Sequence, residues 1–147
     1  MLALMFQVGL DRVAVDVRRV REVIPRVRLI PAPRAPEWLI GMFVYRGRVV
    51  PVVDLHRLTQ AGDCPPHLSS RIILVPFPAG TEGLVGLLAT QVAEIRELPA
   101  AMVHPPSNGG FGPPQADGHG TLRLLDPDRL LARIDLSAVV PDVGAGP

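Results

Sequence analysis

Aromatic residues make up only 4% of this 147-residue chain, which has one tryptophan, one tyrosine and one cysteine. A single thiol, Cys64 between Asp63 and Pro65, excludes an intramolecular disulfide framework and suits a reducing compartment. The formal charge is +1, from 15 basic and 14 acidic residues, which gives no electrostatic basis for holding nucleic acid or an anionic membrane. No run approaches the roughly 18 to 20 apolar residues needed to cross a bilayer. The apolar start, Met1 to Phe6, is broken by Gln7, Asp11 and Arg12 and lacks a basic leader, so it reads as a first strand and not a signal peptide. The expected location is the cytoplasm, with no direct membrane insertion.

The side chains of enzyme chemistry are equally sparse. His56, His67, His104 and His119 are scattered, with no His-x-x-x-His or Cys-x-x-Cys spacing, so no metal site is expected. Cys64 has no Cys-His signature and Ser69-Ser70 sit outside any nucleophile elbow. Gly109-Gly110-x-Gly112 is followed by Pro113-Pro114 where a phosphate-cradling helix should begin. No paired carboxylates stand out. The expectation is a protein without catalysis or cofactor, whose weakly charged surface suits protein partners.

What is present is aliphatic. With 48% hydrophobic residues, the chain can bury an interior of Val, Leu and Ile, as one domain or two small subdomains on a shared core. Short strands bounded by Gly and Pro predominate. Val13, Val15 and Val17 alternate with Ala14 and Asp16 at the period of a half-buried strand, making an opening hairpin with residues 2–9. Val17, Val20 and Ile24 follow helical spacing up to Pro25, and Pro36 leads into a brief helix over Trp38-Leu39-Ile40. Residues 42–45 and 48–55 read as strands around an Arg46-Gly47 turn, with Pro51 placed at an edge or bulge. Asp54 caps a helix at 55–58. Residues 59–70 read as a polar connector, 71–77, 83–88 and 121–125 as strands, and 99–103 as a helical turn. Asp126-Pro127 opens a helix to about Ala132. Residues 104–120, crowded with Pro and Gly, read as a long mobile loop, and 141–147 as a frayed tail.

Comparison of the chain with itself brings out a repeat at a constant offset of 72 positions. Val20, Glu22 and Val23 recur as Val92, Glu94 and Ile95; Asp54, Arg57 and Leu58 recur as Asp126, Arg129 and Leu130. Common residue types can match by chance, but a register shared by two separated blocks points to two related β-rich halves. Each half then forms a barrel of about five strands, with a groove between them, in one domain over 1–147. The subdomains are expected at roughly 12–70 and 71–135, with the strand at 1–10 joining either. Only the first half carries Tyr45-Arg46-Gly47; the same register in the second falls in the Pro/Gly stretch.

The run Gly41-x4-Arg46-Gly47-x3-Pro51-Val52-Val53-Asp54-Leu55 closely resembles the motif of CheW-like domains, the coupling proteins of bacterial chemotaxis arrays. The resemblance covers roughly residues 4 to 134. It implies an all-β fold of two SH3-like five-stranded barrels with a few short helices. It also implies a scaffold that couples chemoreceptors to a CheA-type histidine kinase, binding the receptor's helical-hairpin tip in the groove and the kinase's regulatory domain barrel against barrel. Positions matching the family's receptor-facing surface are Val20, Glu22, Arg46, Ile72 and Ile73, with Gly47 beside them. Val44-Tyr45 stands where an Asn-Leu pair is common, and Thr90-Gln91-Val92 departs from a usual Asp-Val pair. These departures also fit a coupler of a non-flagellar pathway.

Each of these residues has a second reading. Arg46 can bind a carboxylate or helix-end carbonyls of a partner, or pair with Glu22 as an ordinary turn residue. Glu22 can equally be a solvated charge, and Gly47 serves backbone geometry. Ile72 and Ile73 point to opposite faces of a strand, so one can line a groove, or both can be buried in two barrels. Trp38 reads as core. Rival functions are a small ligand-binding or hydrolytic barrel using the groove, and a piece of a larger kinase that ends in a similar domain.

Overall fold

Alternation of apolar and polar residues, punctuated by Gly and Pro, builds this chain almost wholly from strands. The computed structural model describes residues 1–66, 69–78, 80–103 and 109–136, Ala93 through its backbone only. Among them run β1 (Leu2–Val8), β2 (Asp11–Asp16), β3 (Glu22–Pro25), β4 (Leu39–Tyr45), β5 (Arg48–Asp54), β6 (Arg71–Pro76), β7 (Leu84–Glu97), β8 (Gln115–Ala116) and β9 (Thr121–Leu125). Two short helices, α1 (Leu55–Leu58) and α2 (Pro127–Leu131), follow β5 and β9.

The long strand β7 joins the two barrels. Its first half pairs antiparallel with β6 and parallel with β5, and its second half pairs antiparallel with β1. The strand expected over 83–88 thus continues to Glu97, through a bulge where the β1 register shifts between Met5 and Gln7 and Gln91 adopts a φ of 54°. One SH3-like barrel has the order β3-β6-β7-β5-β4, the other β7-β1-β2-β9-β8.

The 72-residue offset runs through these pairings. β1–β2 and β6–β7 are equivalent antiparallel hairpins, and β9 beside β2 repeats the parallel contact of β5 with β7. Each hairpin, however, completes the barrel of the other half. A boundary at 70/71 therefore does not separate the barrels: β1 and β2 lie with β8 and β9, while β6 and the front of β7 lie with β3, β4 and β5. Strand periodicity reveals which face of a strand is buried but not which partner it takes, so this exchange leaves no local mark in the sequence.

Strand parity then sorts the interior. Odd and even positions of β6 send Ile72 and Leu74 into the first barrel with Phe43, Val50 and Val52, and Ile73 and Val75 into a second cluster. That second cluster lies between the barrels, gathering Leu4, Phe6, Val13, Val15, Val53, Leu55, Leu87, Leu125 and Leu130 from both halves. The second barrel is filled by Ala3, Met5, Ala14, Leu98, Leu122 and Leu124. Its alanines leave room for less side-chain volume than the Ile, Phe and Leu of the first.

Three local expectations change. Residues 17–24 form a 3-10 turn at Val17–Arg19 and then β3, because Glu22 to Pro25 pair with Leu74 to Arg71. Leu39 and Ile40 open β4 in place of a helix, since Leu39 and Gly41 take up Val53 and Val52 as partners. Gly41 has a φ of 149° and a side chain there would meet the Ile30 carbonyl oxygen at 2.7 Å, so glycine is what lets the Ile30 segment bridge to Met42.

The third change is the Pro/Gly stretch. Residues 104–108 and the tail beyond 136 lie outside the described residues, but 109–120 hold packed structure. Phe111 is buried in a bridge to Leu125, and β8 and β9 make a hairpin equivalent to β4–β5. At its turn, where the first half has Tyr45-Arg46-Gly47, the second has Asp117-Gly118-His119. The Asp117 side chain is 3% exposed and is held by Arg12 at 2.8 Å and Arg96 at 3.4 Å. The hydrogen bond from Arg12 outweighs burial and lowers its pKa to about 2. Because the folded pKa lies below the unfolded one, the stabilisation is complete above the ordinary carboxylate value and is lost as pH falls from about 4 towards 2. Asp117→Asn should therefore melt lower than the wild type at pH 7, by an amount on the order of 2 kcal/mol, with the gap closing at pH 2–3 in paired thermal melts. A gap independent of pH would contradict this.

Candidate protein-binding site

β4 and β5 are joined by a two-residue turn closed by the Tyr45–Arg48 pair. Its central residues, Arg46 and Gly47, have φ of 49° and 80°, the mirror-image turn geometry that matches strand twist and favours Asn-Gly. Gly47 meets that need directly. Arg46 does not: a non-glycine residue in this region carries a backbone cost of about 1 kcal/mol. Its side chain is 77% exposed, so no local burial offsets the cost.

Two contacts hold the exposed guanidinium in place. Its carbon sits 5.1 Å from the centroid of the Tyr45 ring, and Nη2 lies 3.6 Å from Glu22 Oε1. The Tyr45 hydroxyl donates a hydrogen bond to the same Glu22 oxygen, which raises the phenol above its ordinary pKa. The Tyr45 ring in turn meets Phe43 edge-on, with centroids 6.4 Å apart. Arg46 therefore does pair with Glu22, as one reading of the sequence had it, but through a weak solvent-exposed contact that a partner can displace.

Glu22, Arg46 and Gly47 are thus brought to one corner, at the start of β3 and the tip of the β4–β5 hairpin. Val20 lies two residues away, half-buried against the core between the barrels. Ile72 and Ile73 do not join them. They are 1% and 0% exposed, one in the first barrel and one between the barrels, so neither offers surface to a partner. Both faces of β6 are covered, which the adjacency of two isoleucines left open. Trp38 packs against the core between the barrels, as expected. Arg21 and Arg48, which also stand at this corner, were not singled out by the sequence as binding residues. Their flanking of the turn and of Glu22 was the available signal.

A cavity of about 550 Å³ lies elsewhere, lined by Gln7, Gly9, His56, Thr90 and Gln91 among others. Burial lowers the His56 pKa, but its Nδ1 already accepts a 3.2 Å hydrogen bond from the Gly9 amide. The imidazole ties α1, which follows β5 of one barrel, to the β1–β2 turn of the other. No group of three or more His, Cys, Asp or Glu side chains among the described residues could hold a metal ion.

A sequence model of the CheW-like domain matches residues 2–143. The chain belongs to the CheW-like domain family. It is 33% identical over 134 residues to protein FrzA of Myxococcus xanthus, covering 86% of this chain and 82% of that one. It is 25% identical over 136 residues to the chemotaxis protein CheW of Rhizobium meliloti (strain 1021), covering 92% and 84%. Its fold superposes on the crystal structure of the scaffolding protein TtCheW from Thermoanaerobacter tengcongensis with a TM-score of 0.76, at 21% identity, over 88% of this chain and 86% of that one. CheW-like proteins are scaffolds of chemotaxis signalling, and coupling receptors to a kinase is the family's general role. No helix among the described residues is long and apolar enough to cross a membrane.

Proposed function

We propose that this CheW-like chain is a cytoplasmic, non-catalytic adaptor that holds a CheA-type histidine kinase against the helical-hairpin tip of a chemoreceptor. The observation that carries the reading is Arg46: an arginine kept 77% exposed in a turn conformation that favours Asn or Gly. Such a residue costs folding energy, and a partner that accepts its five donors supplies the compensation. Glu22 and Gly47 belong to the same contact, with Val20 beside them. The kinase's regulatory domain binds another face of the barrels, so kinase control follows from geometry alone, as a coupling free energy between two binding events.

The test is bridging. In a three-component sedimentation assay with a receptor cytoplasmic fragment and the regulatory domain of a CheA-type kinase from the same organism, the chain should bring both into one complex. Failure to bind either at high micromolar concentration would sink the proposal. The ligand-binding alternative gains little from the cavity beside His56, since the group there with a displaced pKa already has a structural partner in Gly9.

A further inference from the structure

Three arginines converge beside Tyr45. Arg21, Arg46 and Arg48 line a cleft of about 180 Å³ together with Tyr45, Glu82 and Leu84. Two of them have carboxylates of this chain for partners, Arg46 through Glu22 and Arg48 through Glu82. Both acids are well exposed, Glu22 at 40% and Glu82 at 83%, and such pairs contribute little to stability. Arg21 has no ion-pair partner among the described residues; its backbone amide donates to the Leu74 carbonyl, which fixes its place at the entry to β3. Its side chain lines the same cleft as Tyr45 and the other two arginines.

We infer that this cleft is a carboxylate-receiving pocket, and that an aspartate or glutamate side chain projecting from the partner's helix enters it between Arg21, Arg46 and Arg48. The inference rests on the receptor-contact reading and adds the chemistry of what is received. A single carboxylate has two oxygens and about four lone-pair directions, which two guanidinium forks can satisfy at once. Leu84 and the Tyr45 ring supply the apolar part of the cleft wall, and Tyr45 also carries the Arg46 guanidinium on its face. Glu22 and Glu82 act as stand-ins that keep Arg46 and Arg48 oriented until the partner's acid arrives. A leucine at position 45 would supply the wall but not the hydroxyl that ties Glu22 to the corner.

The experiment is a titration of the full chain with a receptor cytoplasmic hairpin fragment from the same organism, at 50 and 300 mM salt. Arg21→Glu and Arg48→Glu are each expected to weaken binding about tenfold or more at low salt, and the neutral Arg21→Gln and Arg48→Gln by a few fold. Arg28→Glu, an exposed charge reversal outside the cleft, should bind like the wild type. All five should melt within a few degrees of the wild type. Unchanged affinity in both reversals, or equal weakening by Arg28→Glu, would overturn the pocket while leaving the receptor-contact reading intact. Absence of binding by the wild type would overturn both.

Discussion

Expressed as separate chains, residues 1–68 and 69–147 should each remain unfolded, and should regain native β structure only when mixed. Each fragment lacks a hairpin on which its own barrel depends. In the first, β2 loses β9, its parallel neighbour over Arg12 to Val15, and β1 loses β7. β3 loses β6 and β5 loses β7, so the fragment keeps only the β1–β2 and β4–β5 hairpins. An isolated hairpin is marginally stable at best. The second fragment keeps β6–β7 and β8–β9 without β1 and β2 between them and without β5 beside β7. The core between the barrels draws on both pieces, with Leu4, Phe6, Val13 and Val15 facing Ile73, Leu87, Leu125 and Leu130. Circular dichroism of each fragment alone and of an equimolar mixture reads the outcome. A cooperative melt in either fragment alone would contradict the exchanged-hairpin architecture.

The second large effect concerns the repeated aspartates. Asp54 and Asp126 both cap the helix that follows their strand. Asp54 accepts from the His56 and Arg57 amides at 2.9 and 3.4 Å, Asp126 from the Asp128 and Arg129 amides at 3.0 and 3.3 Å. Each cap also lies near the arginine three positions on, at 3.8 and 3.7 Å. The copies differ in burial. Asp54 is 3% exposed and its second oxygen accepts from the Cys64 amide at 3.0 Å, whereas Asp126 is 26% exposed. Asp54→Ala removes a cap and strands a buried amide, costing about 3 kcal/mol; Asp126→Ala removes a cap, costing about 1 kcal/mol. In a chain of this size that is a fall in Tm of roughly 6–12 °C against roughly 2–4 °C. Asn at 54 keeps an acceptor for the helix and should fall between. Equal losses at both positions would show that burial of the Cys64 contact contributes nothing.

These two effects also mark where the sequence was legible. The Asp-capped helices, the hairpins and the offset of 72 depend on local spacing and on residues whose geometry is fixed by their own chemistry. The partners of the hairpins do not, because β1–β2 and β6–β7 have nearly the same pattern and differ only in which barrel they enter. Residues 59–70 read as a polar connector, yet Cys64 is buried with Ile72, Leu74 and Leu88. Its position is set by Asp54, ten residues earlier, which no periodicity signals. Likewise the Pro and Gly of 109–120 concealed a hairpin whose burial comes from Phe111 and from Asp117 bound to distant Arg12 and Arg96. At the candidate site, the motif located Arg46 and Gly47, and the fold brought Glu22 to them. The fold also withdrew Ile72 and Ile73 into two cores.

The most direct measurement is calorimetric titration of a receptor cytoplasmic hairpin fragment into the wild type and into Arg46→Ala, with the melting temperature of each taken in the same buffer. Arg46 is exposed and carries backbone cost, so its removal should leave Tm within a few degrees while weakening receptor binding at least about tenfold. Binding of the kinase regulatory domain should be unchanged. Full receptor affinity in Arg46→Ala, or a loss of affinity matched by a collapse in Tm, would contradict the assignment of this corner as the receptor contact.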